Sequence, residues 1–410
     1  MLVPKLRFKR EDGTSYPDIE SLMLGERFTF KNGINASREA FRAEGIQCIG
    51  VSDVVKCLPI TAKNVKGTVA ISEEEIKKNI VNYGDILFQR SSETKEDIGH
   101  ASVYYDNTPA VYNGFVICAK PDKLFYAPIY LHYALQHSRI RKQTVTLGAG
   151  TGQHYNIGQE GLSKIKVIFP CLEEQRKIAE FLSNIDEAID QSETEVQNLK
   201  QQKKAVIQKL FSRDIRFKRE DGTKYPEWSN VKLSSILYEY TETCEKDGTY
   251  EHISLTKEGV VPKSERYERD FLVTNESKKY RVTHLDDICY NPANLKFGVI
   301  CRNKYRDGIF SPIYVTFKVQ SGFLPAFIEL MVTRNEFINY ALRFQQGTVY
   351  ERMAVSPEDL LSITVAIPCF EEQQIITDFL SAYDKSIDYA EQELNKWKEL
   401  KKGLLQQMFI

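Results

Sequence analysis

Few side chains in this 410-residue chain stand in a pattern that performs covalent chemistry. Residues 147–152 read LGAGTG, glycine-rich like loops that let a backbone approach S-adenosylmethionine. Such a loop needs a buried strand before it, a helix after it and an acidic residue about 20 positions on. Here a helical pattern precedes it and polar GQHYNIGQ follows, so the competing reading is a flexible loop before the last strand of a domain. Asn291, Pro292, Ala293 and Asn294 partly match the Asn-Pro-Pro-aromatic motif that grips a target amine in amino-methyltransferases, but the second proline and the aromatic are missing. No phosphate-cradling GxxxxGK[ST], HExxH or nucleophile elbow occurs. The six histidines (His100, His132, His137, His154, His252, His284) never cluster with Cys or carboxylates at metal spacing, so no metal site and no catalytic residue is expected.

The elements around these residues follow from composition and from an internal duplication. The chain is 42% hydrophobic and 27% charged, which is ordinary globular composition, and its length predicts two or three domains. No apolar run reaches about 18 residues and the charged MLVPKLRFKRED start lacks a signal-peptide core, so a soluble, cytoplasmic protein is expected. Eight scattered cysteines without a CxxC read as reduced thiols. With 55 basic and 56 acidic residues the net charge is -1, so any nucleic-acid partner must be met by local positive charge or through other subunits.

RFKREDGTSYPD at 7–18 returns as RFKREDGTKYPE at 216–227, and PCLEEQRKIAEFLSNIDEAID at 170–190 returns as PCFEEQQIITDFLSAYDKSID at 368–388. The stretches between these flanks have diverged. Either they do different jobs on a shared frame, which the well-kept flanks favour, or they have drifted.

After each repeated proline an apolar pattern of alternating four- and three-residue steps runs for four heptads. It passes through Ile178, Leu182, Ile185, Ile189, Val196 and Leu199 in the first copy, and Ile376, Leu380, Tyr383, Ile387, Leu394 and Trp397 in the second. Both helices are acidic at the N-terminal end and basic at the C-terminal end, which suits the macrodipole and favours antiparallel pairing, acid against base. Lys203 and Lys401, at matching seam positions, either fix register or snorkel at frayed ends. Phe181, Ile207, Phe379 and Leu405 widen the apolar stripe toward the chain's own domains or toward a partner.

The intervening regions read as strand-rich mixed structure, with GIQCIGVSDV, YGDILFQR, ASVYYD, FVICAK and IKVIFP in the first and EHISLTKEGVV, DDICYNPA, GVICRN, SPIYVTFKV and ITVAIP in the second. Each holds one helical run, APIYLHYALQHSRIRKQ or LPAFIELMVTRNEFINYALR. The expected fold class is α+β, with two homologous α+β domains joined by two long antiparallel coiled-coil helices with pseudo-two-fold symmetry. The expected boundaries are an N-terminal segment at 1–17, a first domain at 18–170, a long helix at 171–211, a linker repeating the N-terminal segment at 212–227, a second domain at 228–368 and a second helix at 369–410.

IKVIFPCLEEQRKIAEFL, its counterpart ITVAIPCFEEQQIITDFL, the preceding GDILFQRS and GVVPKSERY...SPIYVTF segments and the two-copy layout resemble type I restriction-modification specificity subunits across essentially the whole chain. The resemblance implies a non-catalytic DNA-binding subunit whose two target recognition domains each read half of a bipartite double-stranded site. The helices would set the spacer and hold two methyltransferase subunits that carry S-adenosylmethionine for adenine DNA methylation. Motor-nuclease subunits using ATP and magnesium would complete the restriction system, leaving no cofactor in this chain. Base readout needs bidentate donors and acceptors on loops, with Lys and Arg on phosphates. The candidates are Lys31, Asn32, Gln89, Arg90, Ser91, Ser92, Lys95, Gln153, His154, Tyr155 and Asn156 in the first domain, and Lys257, Asn291, Asn294, Lys296, Tyr350 and Arg352 in the second. Two alternatives compete: an S-adenosylmethionine-dependent DNA methyltransferase using LGAGTG, and a coiled-coil adaptor that never contacts DNA.

Overall fold

Two apolar-striped helices, Leu172–Ser212 and Phe370–Met408, are the longest elements of the computed structural model, which describes residues 4–42, 44–123, 125–245, 248–263, 279–346 and 353–409. At ~1.5 Å per residue each runs roughly 60 Å. The chain divides into two compact units, Met1–Val196 with Ala390–Ile410 and Gln197–Tyr389, so each unit owns part of both helices.

In the first unit a four-stranded antiparallel sheet runs Phe28–Asn32, Val116–Pro121, Ile86–Gln89, Ala101–Val103. Its central strands are apolar at successive positions because both faces are covered. Ile86, Phe88, Ile117 and Ala119 face a core shared with the helices, while Leu87, Val116 and Cys118 face a second core. A three-stranded sheet of Thr68–Val69, Ile46–Ile49 and Ala110–Tyr112, the last two parallel, contributes Ile49 and Tyr112 to that second core.

The second unit repeats the plan. Leu237–Glu239, Val315–Val319, Ile288–Tyr290 and Ile300–Arg302 form its four-stranded sheet. A five-stranded sheet again carries a parallel pair, Glu251–Leu255 with Gly308–Phe310. Strand pairs Glu20–Met23 with Lys166–Phe169 and Ser229–Lys232 with Thr364–Ile367 join the entry and exit of the two sheet domains.

The long helices pair antiparallel within each unit. In the first, Asp186 meets Lys401 at 2.5 Å and Glu193 meets Lys398 at 2.7 Å, one number rising as the other falls. In the second, Lys203 pairs with Asp384. Both seam lysines thus end on an acid of the opposite helix. Ile178, Leu182 and Ile185 are buried in the first core beside Met408 and Phe409, with Ile189 and Trp397 packed against it; Ile376 and Leu380 are buried in the second beside Leu210. Val196 and Ile387 are buried, Leu199 and Leu394 are half-buried, and Tyr383 lies edge-on to Phe379. The outer apolar residues serve the chain itself: Phe181 packs on Phe8 and Phe379 on Phe217, while Leu405 and Ile207 border the two cores.

Two readings of local structure need correction. Each run read as one helix is two, Pro128–Gln136 with Ser138–Leu147 and Pro325–Val332 with Asn335–Ala341. His137 and Arg334 stand extended at the breaks, their side chains set against Phe409 and Phe211. The LGAGTG segment follows a helix and is not an irregular loop. Ala149–Thr151 is a strand paired with His154–Asn156, which pairs in turn with Ser91–Ser92. Gly150, at φ +147°, is required there, since a Cβ would lie 2.0 Å from the His154 carbonyl oxygen.

Candidate nucleic-acid interface and the joint that carries it

The repeated sequence blocks form one joint, built twice. Glu174 and Glu372 in the first turns of the long helices are fully buried, and Arg7 and Arg216 from the repeated RFKRED segments grip them with two donors each. Arg7 Nε and Nη2 lie 3.1 and 2.6 Å from the Glu174 oxygens; for Arg216 and Glu372 the distances are 3.1 and 2.9 Å. This fork-on-carboxylate bond raises the pKa of both arginines and neutralises a carboxylate that burial alone would destabilise. Behind each segment Gly13 and Gly222, at φ +80° and +81°, close a turn in which Arg10 and Arg219 donate backbone N–H bonds to the Thr14 and Thr223 carbonyls.

The next residue explains the rest of the PCLEEQ and PCFEEQ blocks. Gln175 donates to the Pro170 carbonyl at 2.8 Å and accepts from Ala127 N–H at 2.9 Å, at the start of Pro128–Gln136. Gln373 does the same for Pro368 and Leu324 at 3.0 and 2.9 Å. A helix start has orphan N–H groups, and here a buried amide satisfies one while fastening the domain to the strut. Leu6 N–H bonds the Gln407 carbonyl as Ile215 N–H bonds that of Lys209, tying each repeated segment to a long-helix end.

On this frame the first unit presents a small ribbon, 149–151, 154–156 and 91–92, that gathers most of the first domain's candidates. Gln153, His154 and Asn156 are exposed, and Tyr155 is half-buried opposite Ser92. Ser91 Oγ donates to Asn156 Oδ1 at 2.6 Å. Arg90 is the hub: its N–H donates to the Phe115 carbonyl, its Nη1 to the Gly114 carbonyl, and its own carbonyl accepts from Ile157. Asn32 is exposed opposite Ile117 at the same sheet end, and exposed Lys95 follows the ribbon in a loop that also holds Glu93, Glu96 and Asp97.

Other candidates are elsewhere. Lys31 turns its ammonium to the Lys78 carbonyl. Gln89 is not a surface reader: it is 5% exposed and donates to the Ser91 carbonyl, shaping the strand exit. Asn291, at the equivalent strand end, is also 5% exposed, and its side-chain oxygen caps Ala293 and Asn294. Both are withdrawn for the same reason, because a chain leaving a buried strand must satisfy its own backbone groups. In the second unit Asn294 is half-buried and Lys296 exposed in the turn that Asn291 caps, and exposed Lys257 pairs with Glu258 in a separate turn. Tyr350 and Arg352 lie outside the described residues, between Gln346 and Ala354, which bridge.

Two exposed aromatics escaped the sequence reading. Phe115 and Phe297 are 62% and 63% exposed, Phe115 beside the Arg90 hub and Phe297 next to Lys296, whose ammonium lies 5.0 Å from its ring. Their signals were an aromatic after Asn113-Gly114 and one before Gly298, both turn positions. His284 was also missed: its ring bridges Asp307 at 2.9 Å and Glu242 at 3.0 Å, which raises its pKa. Among the described residues no group of three His, Cys, Asp or Glu could hold a metal ion, and no helix is long and apolar enough to cross a membrane.

Comparison with known proteins places these features. Residues 24–201 match the family model described as type I restriction modification DNA specificity domain. The chain is 26% identical over 355 residues to the putative type I restriction enzyme MjaX specificity subunit of Methanocaldococcus jannaschii, covering 82% of this chain and 80% of that protein. It is also 26% identical over 189 residues to the MjaVIII specificity subunit from the same organism, 43% of this chain and 42% of that one. Among solved structures, the S subunit of the M. genitalium type I restriction-modification system aligns over 100% of this chain and 99% of its own at TM-score 0.54 and 14% identity. The HsdS subunit of Thermoanaerobacter tengcongensis aligns over 96% and 97% at 0.51 and 14%, which shows the shared fold. Residues 24–201 thus carry a type I restriction-modification DNA specificity domain, and over most of its length the chain is similar to the specificity subunits of type I restriction enzymes.

Proposed function

We propose that this chain is the non-catalytic DNA-reading subunit of a type I restriction-modification complex, with each sheet domain reading one half of a bipartite site. The long helices hold the halves at a set spacing and dock two methyltransferase subunits. S-adenosylmethionine, ATP and magnesium belong to the partners. The observation that carries this reading is the duplicated joint, Arg7–Glu174–Gln175 and Arg216–Glu372–Gln373, under sheet domains whose exposed loops differ. A frame kept alike and surfaces kept unlike is what reading two different half-sites requires.

Exposed Lys95, Gln153, His154 and Asn156 and half-buried Ser91 and Ser92 offer donors and acceptors to base edges and phosphates, as do half-buried Asn294 and exposed Lys296 in the second unit. Phe115 and Phe297 supply rings that can press on bases. Exchanging 18–169 for the equivalent region of another specificity subunit and mapping methylated adenines in the reconstituted complex tests the reading. One half-site changes and the other stays; change in both halves together rejects independent readers. Removing one heptad from both helices shortens the spacer, and an unchanged spacer rejects the ruler.

A further inference from the structure

We infer that the cleft between the C-terminal half of the first long helix and the turn at 332–335 in the second unit is a phosphate-binding site. The cleft has a volume of about 340 Å³ and is lined by Lys200, Lys203, Lys204, Ile207, Arg334 and Glu336, among others. Its charge is lopsided, since Glu336 is the one acid in the lining.

Arg334 is the anchor. Its guanidinium stacks 3.9 Å over the Phe211 ring and its Nε donates to the Met331 carbonyl at 3.4 Å, which fixes the plane and leaves the terminal nitrogens for a ligand. It forms no ion pair with a carboxylate among the described residues, and burial lowers its pKa against the weaker opposing pull of Glu336. Lys203 is matched by Asp384, but exposed Lys204 has no acid against it among the described residues. A rigid two-point donor fork beside a mobile point charge is the combination that suits a tetrahedral phosphate oxyanion.

The first unit supplies an internal comparison. Lys401 stands where Lys203 does, and each pairs with an acid of the opposite helix, Asp186 and Asp384, so these positions are alike in the two units. The counterpart of Arg334 is His137, whose pKa burial lowers, so a permanent cation is replaced by a ring that prefers to be neutral. The frame and its seam lysines are duplicated and the permanent cation at the helix break is not, so the anchor of the cleft is not simply inherited from the duplicated frame.

The phosphate can come from a free nucleotide or inorganic phosphate, or from the backbone of a nucleic acid. No reading of bases is required, so the inference stands apart from the proposed function. The test titrates pyrophosphate calorimetrically into the full chain and its Lys204→Gln, Arg334→Gln and Lys402→Gln variants, Lys402 being the counterpart of Lys204. Single-site binding is expected, weakened about tenfold or more by Lys204→Gln and by Arg334→Gln and unchanged by Lys402→Gln. Displacement of pyrophosphate by a duplex of arbitrary sequence assigns the site to a nucleic-acid backbone, and failure of the duplex to compete assigns it to free phosphate. Absence of pyrophosphate binding, or equal loss in Lys402→Gln, overturns the inference. Should Arg334→Gln fail to fold, exposed Lys204 decides alone. Base specificity is read separately by methylation mapping, so failure here and failure of the DNA-reading proposal are distinguishable.

Discussion

Replacing Arg7 by Ala strips from a carboxylate with no access to solvent the only side-chain cation paired with it among the described residues. Glu174 is 0% exposed, whereas the Arg7 side chain keeps 21% of its surface, so water can enter from the arginine side once the guanidinium is gone. Breaking a buried ion pair by removing one partner costs ~3–5 kcal/mol, and the partial access argues for the low end, about 3 kcal/mol. With a urea dependence of about 2–3 kcal/mol per molar, the unfolding midpoint of the first unit should fall by about 1 M. A whole-chain melt is the wrong assay, because two units need not unfold together. Hydrogen exchange during a urea series, followed separately on amides of 128–147 and 325–341, reads each unit by itself.

Arg7→Ala is expected to lower protection in the first set and spare the second, and Arg216→Ala to do the reverse. Adding Glu174→Gln to Arg7→Ala should recover much of the loss, because the stranded charge is then removed. If Arg7→Ala moves the midpoint of its own unit by less than about 0.2 M, or if Glu174→Gln deepens the loss, the joint is not the fastening described and the energetic argument fails.

Three further outcomes follow from the geometry. His284 has its pKa raised chiefly by the bond to Asp307, then by Glu242, against the opposing effect of burial, and it faces Tyr240, Tyr250 and Asp287 as well. Its contribution to the second unit is therefore full below the unfolded histidine pKa of 6.5 and lost as pH rises through the higher folded value; a ring titration at or below 6.5, or the same pH dependence in His284→Gln, contradicts this. Charge reversal at Lys203, as Lys203→Asp, should cost about 1 kcal/mol, with much of it regained by adding Asp384→Lys, because water reaches the pair from the exposed Asp384 side; denaturation of the single and double variants decides. Gly150→Ala should distort the ribbon and weaken DNA binding of the assembled complex while leaving the 86–89 and 116–121 amides as protected as before; unchanged binding removes the ribbon from the interface.

What the amino-acid sequence disclosed depended on whether a physical constraint repeats along the chain. The long helices were legible because apolar residues recur every 3.5 positions for four heptads, and their antiparallel sense was legible because opposite charge sits at opposite ends. The helix breaks were not, since neither His137 nor Arg334 is a proline or glycine, and each stands extended where its side chain meets a distant aromatic ring, Phe409 or Phe211. Gln89 and Asn291 misled for a related reason: a buried amide that satisfies backbone groups at a strand exit carries the same letter as one that meets a base. The second core of the first sheet domain was hidden by strands covered on both faces, which lose the alternation that marks a half-buried sheet. Yet Gln89 and Asn291 occupy equivalent strand ends, as Arg90 and Pro292 do one residue later, accepting from Ile157 and Val355. The duplication therefore extends past the repeated flanks into the divergent domains, where backbone demands are kept although most side chains around them have changed. That persistence separates frame from surface: the amides that close the strand exits recur in place, and the positions just beyond them, Ser91 and Ser92 against Ala293 and Asn294, are where the two domains differ in side chain.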